Sequence, residues 1–297
     1  MRQKSWMIDS LRTGDKAELS SLPAQTKLIP PGCKMPYQHI TSRCFINCPF
    51  RRLQNELDFV LVHRIQPEIG LEGDVLYIAT AAEYREVAKA LAAAGLRCTL
   101  HAPFFDLSPG ALDVNILAAT RYKLGKAFDL IKIFQPISVV CHLNYEENKH
   151  GYKEADWFNT SLTTWRELLI IAAAHQVPLM LENTYEAGPG QHEKMLAALN
   201  SPYARFCLDV GHVSAFAKNH WQDWLPALAP WLGQLHLHDN QGDRDAHLAI
   251  GRGGFDFSGL FRYLKEQGLQ PLVTLEPHTE DDLWASLAAL DRMEFLG

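Results

Sequence analysis

Eight short apolar runs recur along the chain, separated by stretches whose apolar residues repeat every three or four positions. Six of the runs read Cys98-Thr99-Leu100-His101, Val139-Val140-Cys141-His142, Leu179-Met180-Leu181-Glu182, Phe206-Cys207-Leu208-Asp209, Gln234-Leu235-His236 and Val273-Thr274-Leu275-Glu276. They lack the apolar–polar alternation of a half-exposed strand, which is the pattern of a parallel strand buried on both faces. The expected strands are 44–50, 67–71, 97–102, 137–142, 178–182, 205–209, 232–238 and 272–276. Helical stretches are expected at 52–63, 83–94, 115–134, 157–175, 191–199, 221–228, 257–267 and 281–293. In 83–94, for example, Tyr84, Val87, Ala88 and Leu91 fall on one helical face and Gly95 ends the element.

Strict strand–helix alternation predicts an α/β chain folded as a single (β/α)8 TIM barrel over residues 44–297. No glycine fingerprint of the dinucleotide or P-loop kind follows the first strands, so an open nucleotide-binding sheet loses its usual support. Residues 1–43 read as an irregular N-terminal extension, interrupted by Leu22-Pro23 and Pro30-Pro31-Gly32.

All six runs stop on His, Asp or Glu, and in such barrels the carboxyl ends of the strands carry the active site. Any one of these residues can be a helix cap or a satisfied core group. Together they would bury many ionisable groups at one barrel mouth, which is costly without a compensating cation. Past strand six the chain reads Asp209-Val210-Gly211-His212, and past strand seven His238-Asp239-Asn240 and then Asp245-Ala246-His247. Residues two apart on a strand share a face, so His236 and His238 both point into the mouth. The candidate metal ligands are His101, His142, Glu182, Asp209, His212, His236, Asp245, His247 and Glu276. Zinc in a catalytic site needs about three protein ligands and an open position, so the set exceeds what one ion requires.

Composition changes this picture little. Of 297 residues, 47% are hydrophobic and 21% charged, ordinary for a soluble enzyme. No apolar run approaches a membrane span and the start has no signal core, so a cytoplasmic protein is expected. The six cysteines, at 33, 44, 48, 98, 141 and 207, are read as reduced core residues. A net charge of -6 argues against a general nucleic-acid partner. The expected partner is a small-molecule substrate, and oligomeric state is not legible.

Candidate substrate contacts are His238, Arg252 or Arg244 beside Gly251-Arg252-Gly253-Gly254, and the aromatic residues Phe104 and Tyr145 near the mouth loops. The glycine-rich segment reads as a phosphate cradle or as a flexible connection. Phe105, Tyr185 and Trp157 read as stacking surfaces or as packing. His278 shares a face with Glu276 and has no assigned role.

The motifs His101-Ala-Pro-Phe, Leu-Glu182-Asn, Leu-Asp209-x-Gly-His212, His236-Leu-His-Asp and Asp245-x-His247-x-x-x-Gly resemble the xylose-isomerase-like barrel superfamily over about residues 44–297. That superfamily (its endonuclease branch is AP endonuclease family 2) includes endonuclease IV and sugar and sugar-phosphate isomerases and epimerases. The resemblance implies a divalent-metal cofactor, zinc first and manganese as the alternative, with two or three ions. One ion would take His101, His142 and Glu182; a second would share Glu182 and add Asp209, His236 and Glu276; a third would take His212, Asp245 and His247. In the single-metal epimerase pattern, Glu182, Glu276, Asp209 and His236 suffice, with Glu182 and Glu276 as catalytic groups.

The loop Phe104-Phe105-Asp106-Leu107-Ser108-Pro109-Gly110 departs from the DNA-repair pattern and resembles the cobamide-remodelling phosphodiesterase branch. The leading expectation is therefore a hydrolase cleaving a phosphoester, a phosphodiester first, in a small metabolite or cofactor such as a cobamide nucleotide loop. The alternative is a sugar or sugar-phosphate isomerase or epimerase.

Overall fold

A computed structural model describes residues 37–296. Residues 1–36 of the expected extension lie outside the described residues, and its last part includes a short helix, Gln38–Thr41. Eight parallel strands close into a barrel in chain order: β1 Phe45–Pro49, β2 Pro67–Gly70, β3 Thr99–His101, β4 Val139–His142, β5 Leu179–Glu182, β6 Ala204–Asp209, β7 Leu232–Leu237 and β8 Leu272–Leu275. β1 pairs with both β2 and β8, which leaves no open edge in the sheet.

Pleating divides each strand into two sets. Val139, Cys141, Leu179, Leu181, Phe206, Leu208, Leu235, Leu237, Val273 and Leu275 belong to the large apolar cluster that joins strands to helices. The intervening residues point into the barrel. On β4, β5 and β6 they include the small apolar cluster Val140, Met180 and Cys207. On β2, β3, β7 and β8 they are Glu68, Thr99, Gln234 and Thr274, all buried and joined by hydrogen bonds. The alternation is real, but burial on both faces hides it from a reading based on hydropathy.

The helices follow their predicted faces. Ala81–Ala93 starts with a capping box between Thr80 and Glu83 and buries Tyr84, Val87 and Leu91. Glu154–Ala174 buries Trp157, Trp165 and Leu168, and Glu280–Arg292 is capped by Thr279. Two expectations are corrected. The stretch 52–63 is two helices, Phe50–Asn55 and Leu57–Val62, divided at Glu56 with φ −113°. The stretch 115–134 is Val114–Asp129 followed by Ile131–Phe134. Val75–Ile78, Glu147–His150 and Val210–Phe216 escape a periodicity reading because so few turns show no repeat.

Cys44, Cys48, Cys98, Cys141 and Cys207 are free and buried; burial pushes the Cys44 and Cys98 thiols up to about 12, so both stay protonated. Among the described residues, no helix is long and apolar enough to cross a membrane.

Candidate metal centre

Four strands end on a ligand: β3 on His101, β4 on His142, β5 on Glu182 and β6 on Asp209. Strand pairing sets His142 beside Glu182 and Asp209 beside His236. Glu276 follows β8, and His238 follows β7. The remaining ligands come from local devices. Asp209 also caps the helix Val210–Phe216, accepting the His212 N–H at 2.7 Å, which brings His212 back over the mouth. Asn183 ties β5 to β6: its side chain donates to Asp209 O at 3.0 Å and accepts from Asp209 N at 2.9 Å.

Asp245 and His247 sit on the loop after β7. Buried Asp239 pins that loop by accepting the backbone N–H groups of Gly251, Gly253 and Phe255 at 3.0, 2.8 and 3.1 Å. His247 itself takes a left-handed backbone, φ 46°, a conformation that a residue with a Cβ adopts only when its surroundings hold it there.

All nine expected ligands converge, and His238 joins them. Five overlapping trios have ligand atoms within 4.8 Å of one another: His101–His142–Glu182, Glu182–Asp209–His236, His101–His236–Glu276, Asp209–His212–His238 and His238–Asp245–His247. Glu182 Oε2 lies 3.1 Å from His101 Nε2 and 3.3 Å from His142 Nε2. Its Oε1 lies 3.3 Å from His236 Nδ1 and 3.4 Å from His212 Nδ1. His212 Nε2 is 3.3 Å and His247 Nε2 3.0 Å from Asp245 Oδ2. The edge of a tetrahedron of N and O ligands around zinc is roughly 3.3 Å, from bonds of about 2.0–2.1 Å. Most of these separations match that edge and exceed the usual 2.7–2.9 Å or so of a charge-assisted hydrogen bond.

Orphaned atoms give a second test of fit. His236 Nδ1, His238 Nδ1 and Asp245 Oδ1 are buried and make no hydrogen bond. His238 Nδ1 and Asp245 Oδ1 face each other at 3.6 Å, and His236 Nδ1 stands between Glu182 Oε1 and Glu276 Oε1 at 3.3 and 3.2 Å. Buried polar atoms are rarely left unpaired, and one cation beside His236 and another between His238 and Asp245 would satisfy them. The donor set of imidazoles and carboxylates suits zinc or manganese.

The electrostatics point the same way. Burial opposes charge on His101, yet hydrogen bonding to Glu182 and the charges of Glu182 and Glu68 raise it to about 9. Burial likewise opposes charge on His247, but Asp245 and Glu276 raise it to about 9. Burial works against ionisation of Glu276, and the neighbouring His236, His247 and His238 outweigh it and hold its carboxyl well below the usual range. His142 moves the other way, because burial lowers its pKa more than Glu182 raises it.

A cavity of about 830 Å³ opens above the ligands, lined among others by Phe104, Phe105, Ile116, Lys149, Tyr185 and His278. Of the expected substrate contacts, Phe104 stacks on the His142 ring at 4.3 Å and lines the cavity. His238 lies among the ligands, with Nε2 3.1 Å from both Asp209 oxygens. Three expected contacts stand elsewhere. Arg252 is turned outward to Asp282 at 2.9 Å, and Arg244 is exposed and absent from the cavity wall. Tyr145 is buried beneath its loop, donating its hydroxyl to Glu147 at 2.8 Å and packing on Trp157. The glycine-rich segment serves the Asp239 clasp: a Cβ on Gly253 would lie 2.2 Å from Asn240 O.

Three residues of the centre escaped the sequence reading. Asn47 and Glu72 line the cavity floor. Glu68 lies beneath His236, its Oε1 3.1 Å from His236 Nε2. Asn47 and Glu68 gave a weak signal, since a single polar residue inside a short strand looks like an exposed position, and Glu72 lies in the loop after β2. His278 stacks on His247 at 4.2 Å, and His247 on His238 at 3.9 Å, which places His278 at the wall of the cavity.

A family model described as xylose isomerase-like TIM barrel matches residues 68–296. An uncharacterized protein of Methanocaldococcus jannaschii, MJ1614, is 25% identical over 193 residues, 63% of this chain and 74% of that one. A D-tagatose 3-epimerase-like protein superposes with a TM-score of 0.74 at 20% identity, covering 84% of this chain and 97% of that one. The TTHB071 protein from Thermus thermophilus, solved after soaking with ZnCl2, gives a TM-score of 0.71 at 23% identity, covering 86% and 99%. Other structures of similar fold are D-psicose 3-epimerases. At these identities the structures share the fold.

Proposed function

The chain belongs to the xylose isomerase-like TIM barrel family, and on that footing we propose that it is a divalent-metal-dependent hydrolase of a phosphoester, a phosphodiester first, in a small metabolite or cofactor. A cobamide nucleotide loop is one substrate of that chemistry, suggested by the loop 104–110. The observation that carries the reading is the surplus of ligands. Glu182, Asp209, His236 and Glu276 are enough for one ion, yet His101, His142, His212, Asp245 and His247 converge beside them within the same reach. A multinuclear divalent centre supplies Lewis acidity that acidifies water and neutralises the oxygens of a transferring phosphoryl group.

The side chains have separable parts in this. His101 and His142 would hold one ion against Glu182 Oε2, and His212, Asp245 and His247 another. Glu182 connects the groups, because its two oxygens face different histidines. Phe104 covers the His142 face and keeps bulk water from it.

A second reading is a sugar or sugar-phosphate isomerase or epimerase, and the solved neighbours favour it, since those with an activity in their names are chiefly epimerases. Glu182 and Glu276 would then move a proton at the carbon next to a carbonyl, with one ion polarising the oxygens. The two readings separate in one experiment: metal counted per purified chain, with hydrolysis of bis(p-nitrophenyl) phosphate and interconversion of D-tagatose and D-psicose with their C3 epimers assayed on the same protein. Two or three ions and diester hydrolysis support the hydrolase. One ion and ketose epimerisation overturn it.

A further inference from the structure

Glu68 is a wholly buried carboxylate on β2, beneath the ligand ring, that neither reading above uses. Five side chains offer it donors. Its Oε2 accepts from Gln234 Nε2 at 2.6 Å, Thr99 Oγ1 at 2.9 Å and Thr274 Oγ1 at 3.1 Å. Its Oε1 lies 3.1 Å from His236 Nε2 and accepts weakly from Asn47 Nδ2 at 3.5 Å. A buried carboxylate survives ionised only when donors replace its water, and here they arrive from four other strands.

The contact with His236 is attractive only if Nε2 carries a proton. The neighbouring amide supports that assignment. The Glu68 carboxylate only accepts, so its 2.6 Å contact fixes which end of the Gln234 amide is nitrogen, and Gln234 Oε1 accepts from Ser138 Oγ at 2.7 Å. Both N–H bonds of Gln234 are directed to Glu68 and to Thr274 Oγ1, the latter at 3.0 Å. Neither is left for His236 Nε2, although the two nitrogens are only 3.3 Å apart. With the proton on Nε2, the lone pair is on Nδ1, the orphaned atom that faces Glu182, Glu276 and Asp209 at 3.3, 3.2 and 3.9 Å.

We propose that Glu68 is a positioning residue that locks His236 as the Nε2–H tautomer and so aims Nδ1 at the ion shared with Glu182, Asp209 and Glu276. The assignment rests on the metal-centre reading and holds for a hydrolase or an epimerase alike. It follows the general pattern in which a ligating imidazole donates its other N–H to a carboxylate.

The test uses the full chain with zinc as the probe. In the zinc-loaded wild type, long-range 1H–15N spectra should show His236 protonated on Nε2 and coordinated through Nδ1. Zinc affinity, measured by competition with a chromophoric chelator, should fall about 10–100-fold in Glu68→Met, and less in Glu68→Gln, which keeps an acceptor. Glu68→Met should also show His236 as a mixture of tautomers, a change that loss of packing alone would not produce. Should Glu68→Met fail to fold, the wild-type tautomer and the affinity of Glu68→Gln decide. Coordination through Nε2 in the wild type, or wild-type affinity in both variants, overturns the assignment. A wild-type chain that takes up no zinc overturns the metal reading and this assignment together.

Discussion

Gly211 and His238 are packed so closely that a Cβ on the glycine would lie 1.8 Å from His238 Cε1. The ring has nowhere to go, since it is bonded to both oxygens of Asp209 at 3.1 Å and stacked on His247 at 3.9 Å. Gly211→Ala is therefore expected to cost about 1–3 kcal/mol by overpacking and to lower bound metal. Thermal melting and elemental analysis check both. In Gly211→Ala/His238→Ala the clash disappears, so the two changes should be strongly non-additive; additive losses would remove the contact from the account.

His142→Ala and His247→Ala distinguish one ion from several. Loss of a group beside a metal costs about 10–100-fold, and loss of a direct ligand more. Each variant is expected to lose metal and turnover together while circular dichroism stays unchanged. Near-normal turnover with one remaining ion would favour the epimerase.

Arg252→Ala is expected to leave KM unchanged and to shift stability by less than about 1 kcal/mol, because its partner is Asp282 at an exposed site. A large rise in KM would show that the loop carries Arg252 into the cavity during turnover.

Incision of abasic duplex DNA is expected to be absent. The cavity wall carries Glu72, Asp106, Asp113 and Glu146 against Lys149, a balance that repels a phosphate backbone. Metal-dependent incision by the purified chain would contradict this.

Glu186 gives a pH dependence of stability. Burial raises its carboxyl to about 7 from 4.5, although the N–H groups of Thr184 and Tyr145 pull the other way. A folded pKa above the unfolded one means that the favourable contribution is complete below 4.5 and fades as pH rises through 7. The wild type should therefore lose up to about 3 kcal/mol relative to Glu186→Gln between those limits, at about 1.4 kcal/mol per unit. Melting temperatures of both proteins at pH 5 and pH 8, at equal metal load, measure the slope; parallel curves would refute it.

The ligands at strand ends were legible because each sits where a continuous apolar run stops, and a barrel turns that position into a wall of its mouth. His212, Asp245 and His247 were legible as chelating spacings past strands six and seven rather than as strand ends, and their return to the mouth, by a helix cap and the Asp239 clasp, was not. Glu68 was not legible: in Pro67-Glu68-Ile69-Gly70 one charge among apolar residues looks solvent-facing, and its donors lie up to 206 positions away. Neither reading of Gly251–Gly254, phosphate cradle or flexible connection, foresaw that Gly253 accommodates the Asp239 side chain and the Asn240 carbonyl. Tyr145 looked like a mouth aromatic because hydropathy does not tell a loop's outer face from the side that packs on Trp157.

The ligands lie on six different strands or the loops that follow them, from His101 to Glu276. No half-barrel carries them all, so the full set comes together only when the ring from β3 round to β8 is assembled. For a chain that takes up such an ion, the free energy of capture is free energy of folding: at a free-ion concentration a thousandfold above Kd, the native state would gain about 4.1 kcal/mol. On the metal-dependent reading, metal supply would govern the lifetime of the polypeptide as well as its chemistry. A cell short of the ion would hold fewer copies of the protein, cleared through the unfolded chain, rather than the same number of idle ones.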